Sequence, residues 1–190
     1  PGLKQHPPVT PARYAECAVP GWCSPWTPPP HVQATLRRTF QDFPFAPSSR
    51  RGVSIDVPPE SNTIWHNHPD LGHYWRAFVR PLVGWLPPGR TFVTLNRLRP
   101  DANASTPRHP DRNQGWSWLY VDGDFSGGTF KADFESPTVT PGTFFPLNGA
   151  IPHWVEPVTE GVRWSAVVYC AKCIACKGQS TGCPVCQLPL

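Results

Sequence analysis

His109-Pro110-Asp111, followed further along by His153, offers two imidazoles and one carboxylate to a single metal ion. Two histidines and a carboxylate form the facial triad that holds non-haem Fe(II) by one face and leaves its other positions open. Open positions imply catalysis rather than a structural metal. The fixed φ of Pro110 favours an extended segment, and in an extended segment side chains two apart project to the same side. His109 and Asp111 then reach one ion. Taken alone, a His-x-Asp pair is more often a solvated loop pair or a helix cap, so the rest of the chain has to carry the reading.

Val162-Arg163-Trp164-Ser165-Ala166-Val167-Val168-Tyr169 has the composition of a strand and begins after the turn signal Glu160-Gly161. Alternation places Arg163, Ser165, Val167 and Tyr169 on one face and Trp164, Ala166, Val168 and Cys170 on the other. A guanidinium keeps its charge and grips a carboxylate with two parallel hydrogen bonds, and a hydroxyl two positions on can add a third. The bland alternative is an edge arginine snorkelling to solvent. The upstream triad weighs against it.

His109-Pro110-Asp111, Gly123-Asp124-Phe125-Ser126-Gly127-Gly128-Thr129-Phe130, Gly142-Thr143-Phe144-Phe145, His153 and Gly161-Val162-Arg163-Trp164-Ser165 together resemble the core of the Fe(II)/2-oxoglutarate dioxygenases. Among their branches the chain is most similar to the TET/JBP type, the 5-methylcytosine and thymine hydroxylases. The resemblance covers about residues 90 to 170. It implies a double-stranded β-helix with iron on His109, Asp111 and His153. It also implies 2-oxoglutarate with its distal carboxylate on Arg163 and Ser165, O2 as the other co-substrate, and DNA or RNA carrying the methyl group to be oxidised. Asn96 falls where relatives often carry a polar contact to the co-substrate; its other reading is a turn former at a strand end. Two features depart from that branch: the barrel has no long low-complexity insertion, and the cysteine-rich element follows it. The Gly-Gly pair and distal histidine also occur in prolyl-hydroxylase-like relatives, which usually carry lysine in place of Arg163. Protein or small-molecule hydroxylation is thus the alternative, and a non-catalytic binding module a third reading.

These residues need a scaffold, and 190 residues suffice for one domain with a small appendage. Nine Trp and ten Phe offset a modest hydrophobic content of 39% in buried area. A net charge of +4 is compatible with a polyanionic partner without requiring one. No run reaches the length of apolar residues that spans a bilayer and no signal peptide opens the chain, which reads as soluble with no membrane partner. Pro1 in place of Met marks a fragment or processed form, and oligomeric state leaves no trace in the sequence.

Four zones follow. Residues 1–30 are a Pro-rich, extended lead. Residues 31–89 are a helical support region, with one helix from residue 31 to about 43 and another over 70–85, capped by Asp70 and ended or kinked at Pro81. Residues 90–170 read as strands at 91–98, 116–121, 128–134, 138–145, 150–156 and 162–170, a mainly β, jelly-roll (cupin-like) barrel. Trp116, Trp118 and Tyr120 alternate with Ser117, Leu119 and Val121, so one of these faces lines the pocket. An aromatic row there would stack a flipped base; otherwise it fills the core between sheet and helices.

A second His-Pro-Asp, in His66-Asn67-His68-Pro69-Asp70 with His73 beyond, leads into a helix rather than a strand. It reads as helix capping, with Trp65 and His66 towards the pocket mouth. Residues 171–190 are the last zone. Cys173, Cys176, Cys183 and Cys186 form two Cys-x-x-Cys knuckles that suit structural Zn(II), with Cys170 a core residue or an alternative ligand to Cys173. The rival is a disulfide staple joined by Cys17 and Cys23. Seven cysteines leave one thiol over, which favours the metal and an intracellular, reducing compartment, the nucleus included.

Overall fold

The computed structural model describes residues 25–46, 60–80, 91–100, 106–111, 116–133, 138–149 and 151–170. The cysteine knuckles, Cys17, Cys23 and the stretch around Pro81 lie outside the described residues.

Among the described residues two helices precede most of the sheet: α1 (Pro30–Asp42) and α2 (Gly72–Val79). Between them runs β1 (Glu60–Trp65), a strand inside the region expected to supply only support helices. Then come β2 (Thr91–Leu98), β3 (Thr106–His109), β4 (Trp116–Asp122), β5 (Phe125–Gly127) and β6 (Phe130–Ala132), followed by β7 (Phe144–Asn148), β8 (His153–Val155), β9 (Val158–Gly161) and β10 (Arg163–Cys170). The strand expected over 128–134 is shortened to β6, and β5, which precedes that range, is an additional strand in a different sheet.

All pairings are antiparallel. A five-stranded sheet runs β1-β2-β10-β4-β7, a three-stranded sheet β3-β8-β6, and a two-stranded ribbon β5-β9. Two sheets with Greek-key-like crossovers make a jelly roll, which leaves a gap between their inner faces. Ahead of α1, Trp26 bridges Phe144 through two backbone hydrogen bonds of 2.9 and 2.7 Å, so the end of the Pro-rich lead lies extended against β7.

Period-two alternation gives the large sheet two different faces. The outer face carries Ile64, Val93, Leu95, Trp118, Tyr120, Phe144, Ala166 and Val168 against Leu36 and Phe40 of α1 and Trp75, Phe78 and Val79 of α2. Phe40 is the hub: its ring meets Phe78 edge-on at 4.9 Å and stacks near Trp164 at 6.0 Å and Tyr120 at 6.3 Å. Trp118 and Tyr120 therefore fill the helix-side core and do not reach the pocket. The inner face sends Leu98, Leu119, Val121 and Leu147 against Phe130, Ala132, Ile151, Val155 and Val158 from the smaller sheets.

α2 begins differently from the expected pattern. Its N-cap is Leu71, and Asp70 makes no capping bond. Instead His68 Nδ1 accepts the backbone N–H of Asp70 at 3.3 Å and of Leu71 at 3.1 Å, satisfying donors that the helix leaves unpaired. Among the described residues no helix is long and apolar enough to cross a membrane.

α1 is pinned by charge as well as by its apolar face. Arg37 donates from Nε and Nη2 to Oδ1 of Asp122 at 3.1 and 2.6 Å, while Asp122 is buried at the end of β4. Removing one partner of a buried pair leaves the other desolvated and uncompensated. Arg37→Ala is expected to cost about 1.5 kcal/mol of stability in urea denaturation, the half-exposed arginine moderating the loss. Adding Asp122→Asn should recover part of it, because no buried charge is then left unpaired.

Candidate active site

β3 ends at His109 and β8 begins at His153, and the two histidines are register partners. Their rings lie 4.8 Å apart, centroid to centroid. Asp111 is just beyond β3, where its Oδ1 lies 3.4 Å from His109 Nε2 and its Oδ2 lies 3.8 Å from His153 Nε2. These three ligand atoms all lie within 4.8 Å of one another, the one such cluster among the described residues. The stretch from His66 to His73 forms none.

Backbone hydrogen bonds aim the ligands. Nδ1 of His109 lies 2.7 Å from the Pro107 carbonyl oxygen and Nδ1 of His153 lies 2.8 Å from that of Ile151. A carbonyl oxygen only accepts, so each ring donates from Nδ1–H and keeps the Nε2 lone pair for a metal. Burial holds His153 below the ordinary imidazole range, favouring the neutral form that ligates metal. The donor set fits iron of the two-histidine, one-carboxylate type.

Asp111 is set by Gly149, which sequence reasoning missed. Its N–H donates to the Gly149 carbonyl at 2.6 Å. A Cβ on residue 149 would lie 2.8 Å from Asp111 Cβ and 2.9 Å from Oδ2, so only glycine leaves the carboxylate where it stands. The available signal was the Asn148-Gly149 turn dipeptide between two strand patterns.

Across the gap, the first residue of β10 is Arg163, only 2% exposed. It lies on the inner face, with Ser165 two positions on, paired to Asn96 of β2 and Val121 of β4. His109, Asp111, His153, Arg163, Ser165 and Asn96 line one cavity of about 250 Å³. Among the described residues Arg163 has no carboxylate partner, and its buried Nε has no hydrogen-bond partner at all. Burial pulls its pKa down to about 10, which still leaves it charged at neutral pH. Gly128 allows this placement: it sits in the left-handed region at φ +63°, and a Cβ there would lie 2.7 Å from Arg163 Cδ.

No protein-family model matches the sequence, and no curated protein matches it in sequence. Solved structures match it in fold. A prolyl-4-hydroxylase from Pseudomonas putida aligns at 19% identity over 78% of this chain and 91% of that one, with a TM-score of 0.52. An oxidoreductase of the 2OG-Fe(II) oxygenase family from Burkholderia pseudomallei aligns at 16% identity over 74% and 78%, with a TM-score of 0.55. The dioxygenase for auxin oxidation in rice aligns at 14% identity over 77% and 71%, with a TM-score of 0.52. This chain has the fold of the 2-oxoglutarate Fe(II) oxygenases.

Proposed function

We propose that the chain is an Fe(II)- and 2-oxoglutarate-dependent oxygenase. The observation that carries this reading is a buried guanidinium that has no carboxylate partner among the described residues, in the same cavity as a His-Asp-His cluster. Burying a cation without a counter-charge is costly, and such a group is normally found paired. A ligand carboxylate supplies the missing partner. The cavity thus fits a dicarboxylate, one end on Arg163 with Ser165 beside it and the other towards His109, Asp111 and His153. Bound iron, with 2-oxoglutarate and O2, supplies the oxidation of an acceptor C–H bond. The protein's own work is to fix both ends of the co-substrate and to keep water from the ligands.

The acceptor that the sequence motifs favour is the methyl group of a nucleobase, 5-methylcytosine or thymine, in DNA or RNA. Arg163 in place of the lysine usual in prolyl-hydroxylase-like relatives supports this over a prolyl substrate. Product mass spectrometry after incubation with Fe(II), 2-oxoglutarate and a panel of methylated DNA, RNA and proline-containing peptides tests it. An oxidised methylated base with unchanged peptides is the expected result, and hydroxyproline alone would move the acceptor to protein.

Asp111→Ala is expected to abolish Fe(II) binding and 2-oxoglutarate decarboxylation while the circular dichroism of the fold is retained. Gly149→Ala, which removes no ligand, should weaken Fe(II) binding by roughly 10–100-fold, the scale seen when groups behind metal ligands are disturbed. Equal Fe(II) affinity in Gly149→Ala and the parent protein would show that Asp111 is not the carboxylate ligand.

Arg163→Lys keeps the charge and loses the two-pronged grip. Its 2-oxoglutarate affinity should fall roughly 10–100-fold, with iron affinity unchanged. Gly128→Ala should act in the same direction by displacing the Arg163 stem. Titration of 2-oxoglutarate into each iron-loaded variant reads both effects.

A further inference from the structure

Arg163 lines a second cavity, of about 310 Å³, which shares only Arg163 and Phe130 with the first and reaches none of the candidate metal ligands. Its lining is buried at Val121, Gly128, Phe130 and Arg163, while Thr129 and Thr138 are exposed and Lys131 half-buried, so it opens to solvent on its own side. The guanidinium carbon of Arg163 stands 5.8 Å from the centre of the Phe125 ring, and Phe125 lines this cavity and not the metal one. One buried cation thus forms the wall between two cavities.

A carboxylate gripped in parallel takes two of a guanidinium's five N–H donors. On the proposed function the co-substrate is that carboxylate, and it leaves three donors over. A ring face such as that of Phe125 attracts the cation but accepts none of the N–H bonds in the guanidinium plane. Buried donors are normally paired, yet no described residue accepts a bond from Nε of Arg163, which is fully enclosed. The second cavity matches this need in charge. The ionisable residues among its described lining are both cations, Arg163 and Lys131, with the hydroxyl-bearing Thr129 and Thr138 beside them. Glu156 lies 3.9 Å from Lys131, but both are well exposed and a pair so loose counts for little.

We propose that the second cavity binds a small oxyanion, a carboxylate or a phosphate, between Arg163 and Lys131, and that its occupancy weakens the hold of Arg163 on 2-oxoglutarate. The coupling rests on the co-substrate reading; the anion site does not. Its volume lies at the low end of ligand sites, which suits a small anion. The sign of the coupling follows from charge. Two anions on different edges of one guanidinium share a single positive charge and repel each other, strongly so where water is scarce. They do not contend for the same N–H groups, so both can be bound at once. The antagonism is therefore partial, and by linkage it is reciprocal. An anion entering from solvent sets how tightly the co-substrate is held without entering the metal cavity.

The test uses the whole chain, inorganic phosphate and acetate as probes, potassium chloride to hold the ionic strength constant, and the variants Lys131→Gln and Val139→Phe. The first removes a charge from the cavity lining, and the second enlarges a side chain that lines it. Calorimetric titration of the metal-free protein comes first. Whichever probe binds names the kind of oxyanion, and Lys131→Gln should weaken that binding roughly tenfold, the scale of a lost charge-assisted contact. Binding of neither probe, or binding unchanged in both variants, overturns the site. 2-Oxoglutarate is then titrated into the iron-loaded protein, without oxygen, at rising probe concentration. Its Kd should rise roughly fivefold or more and then level off, because both anions can be bound together. A rise that continues in proportion to the probe means one shared place in the metal cavity and overturns the proposal. So does a rise of equal size in Val139→Phe. A protein that binds the probe in a Lys131-dependent way yet binds no 2-oxoglutarate sinks the co-substrate reading and the coupling, and leaves the anion site standing.

Discussion

Burial of a permanent cation between two sheets is the constraint on which the rest of the structure depends. Arg163 opens the central strand of the large sheet, with β2 on one side and β4 on the other, so its backbone has little freedom. Its stem passes over Gly128, where any side chain would displace it. Nothing among the described residues neutralises it. Such an arrangement does not stabilise a fold; the desolvation of one charge exceeds what its packing returns. It makes sense when a carboxylate arrives from outside, and the same stroke explains why the gap between the sheets stays a cavity instead of closing into core.

Core and site are also the same strand seen from its two faces. Arg163, Ser165, Val167 and Tyr169 face the gap, while Trp164, Ala166 and Val168 face α1 and α2. A slip of one residue in the β10 register would carry Arg163 into the helix-side core and Trp164 into the cavity. The register is therefore specified twice over, by apolar burial against Phe40 and by the polar lining opposite. On the facing sheet the same economy appears in the backbone: the carbonyls of Pro107 and Ile151 orient the two imidazoles, and that of Gly149 holds the Asp111 N–H. The candidate metal ligands and Arg163 come from different sheets, so the proposed chemistry depends on the two remaining face to face.

Much of this was legible before any coordinates. The triad, Arg163 with Ser165, and the alternation of β10 follow from residue chemistry and a period of two, which need no tertiary information. The two helices followed from apolar spacing. What escaped has common causes. β3 and β9 are four residues each, too short for a periodic signal. β1 is Glu-Ser-Asn-Thr-Ile-Trp, polar because its inner face lines a cavity and its outer face meets Arg97 through Glu60, and so it does not read as a strand. The capping role of His68 in place of Asp70 depends on the turn before α2. Gly149 carries no side chain to betray its closeness to Asp111.

The most instructive case is the aromatic alternation of β4. Alternation in β4 separates Trp118 and Tyr120 from Leu119 and Val121 but says nothing about which face meets the cavity, because that is decided by what covers each side. The helices cover the aromatic face of β4, and the aromatics that do line the cavity, Phe130 and Tyr169, come from β6 and β10, strands far apart in sequence. Single-strand periodicity cannot say which residues of separate strands meet in one cavity; only the tertiary fold does. The division also bears on specificity. Solved structures named for prolyl hydroxylation and auxin oxidation have this fold, so the fold does not choose the acceptor. The candidate metal ligands and Arg163 stand on or beside β3, β8 and the start of β10, whereas Ser61, Thr63 and Thr94 line the cavity from β1 and β2. Substitutions at those three positions remove neither a candidate metal ligand nor Arg163, so on the proposed function β1 and β2 are where one oxidation chemistry is fitted to a particular substrate.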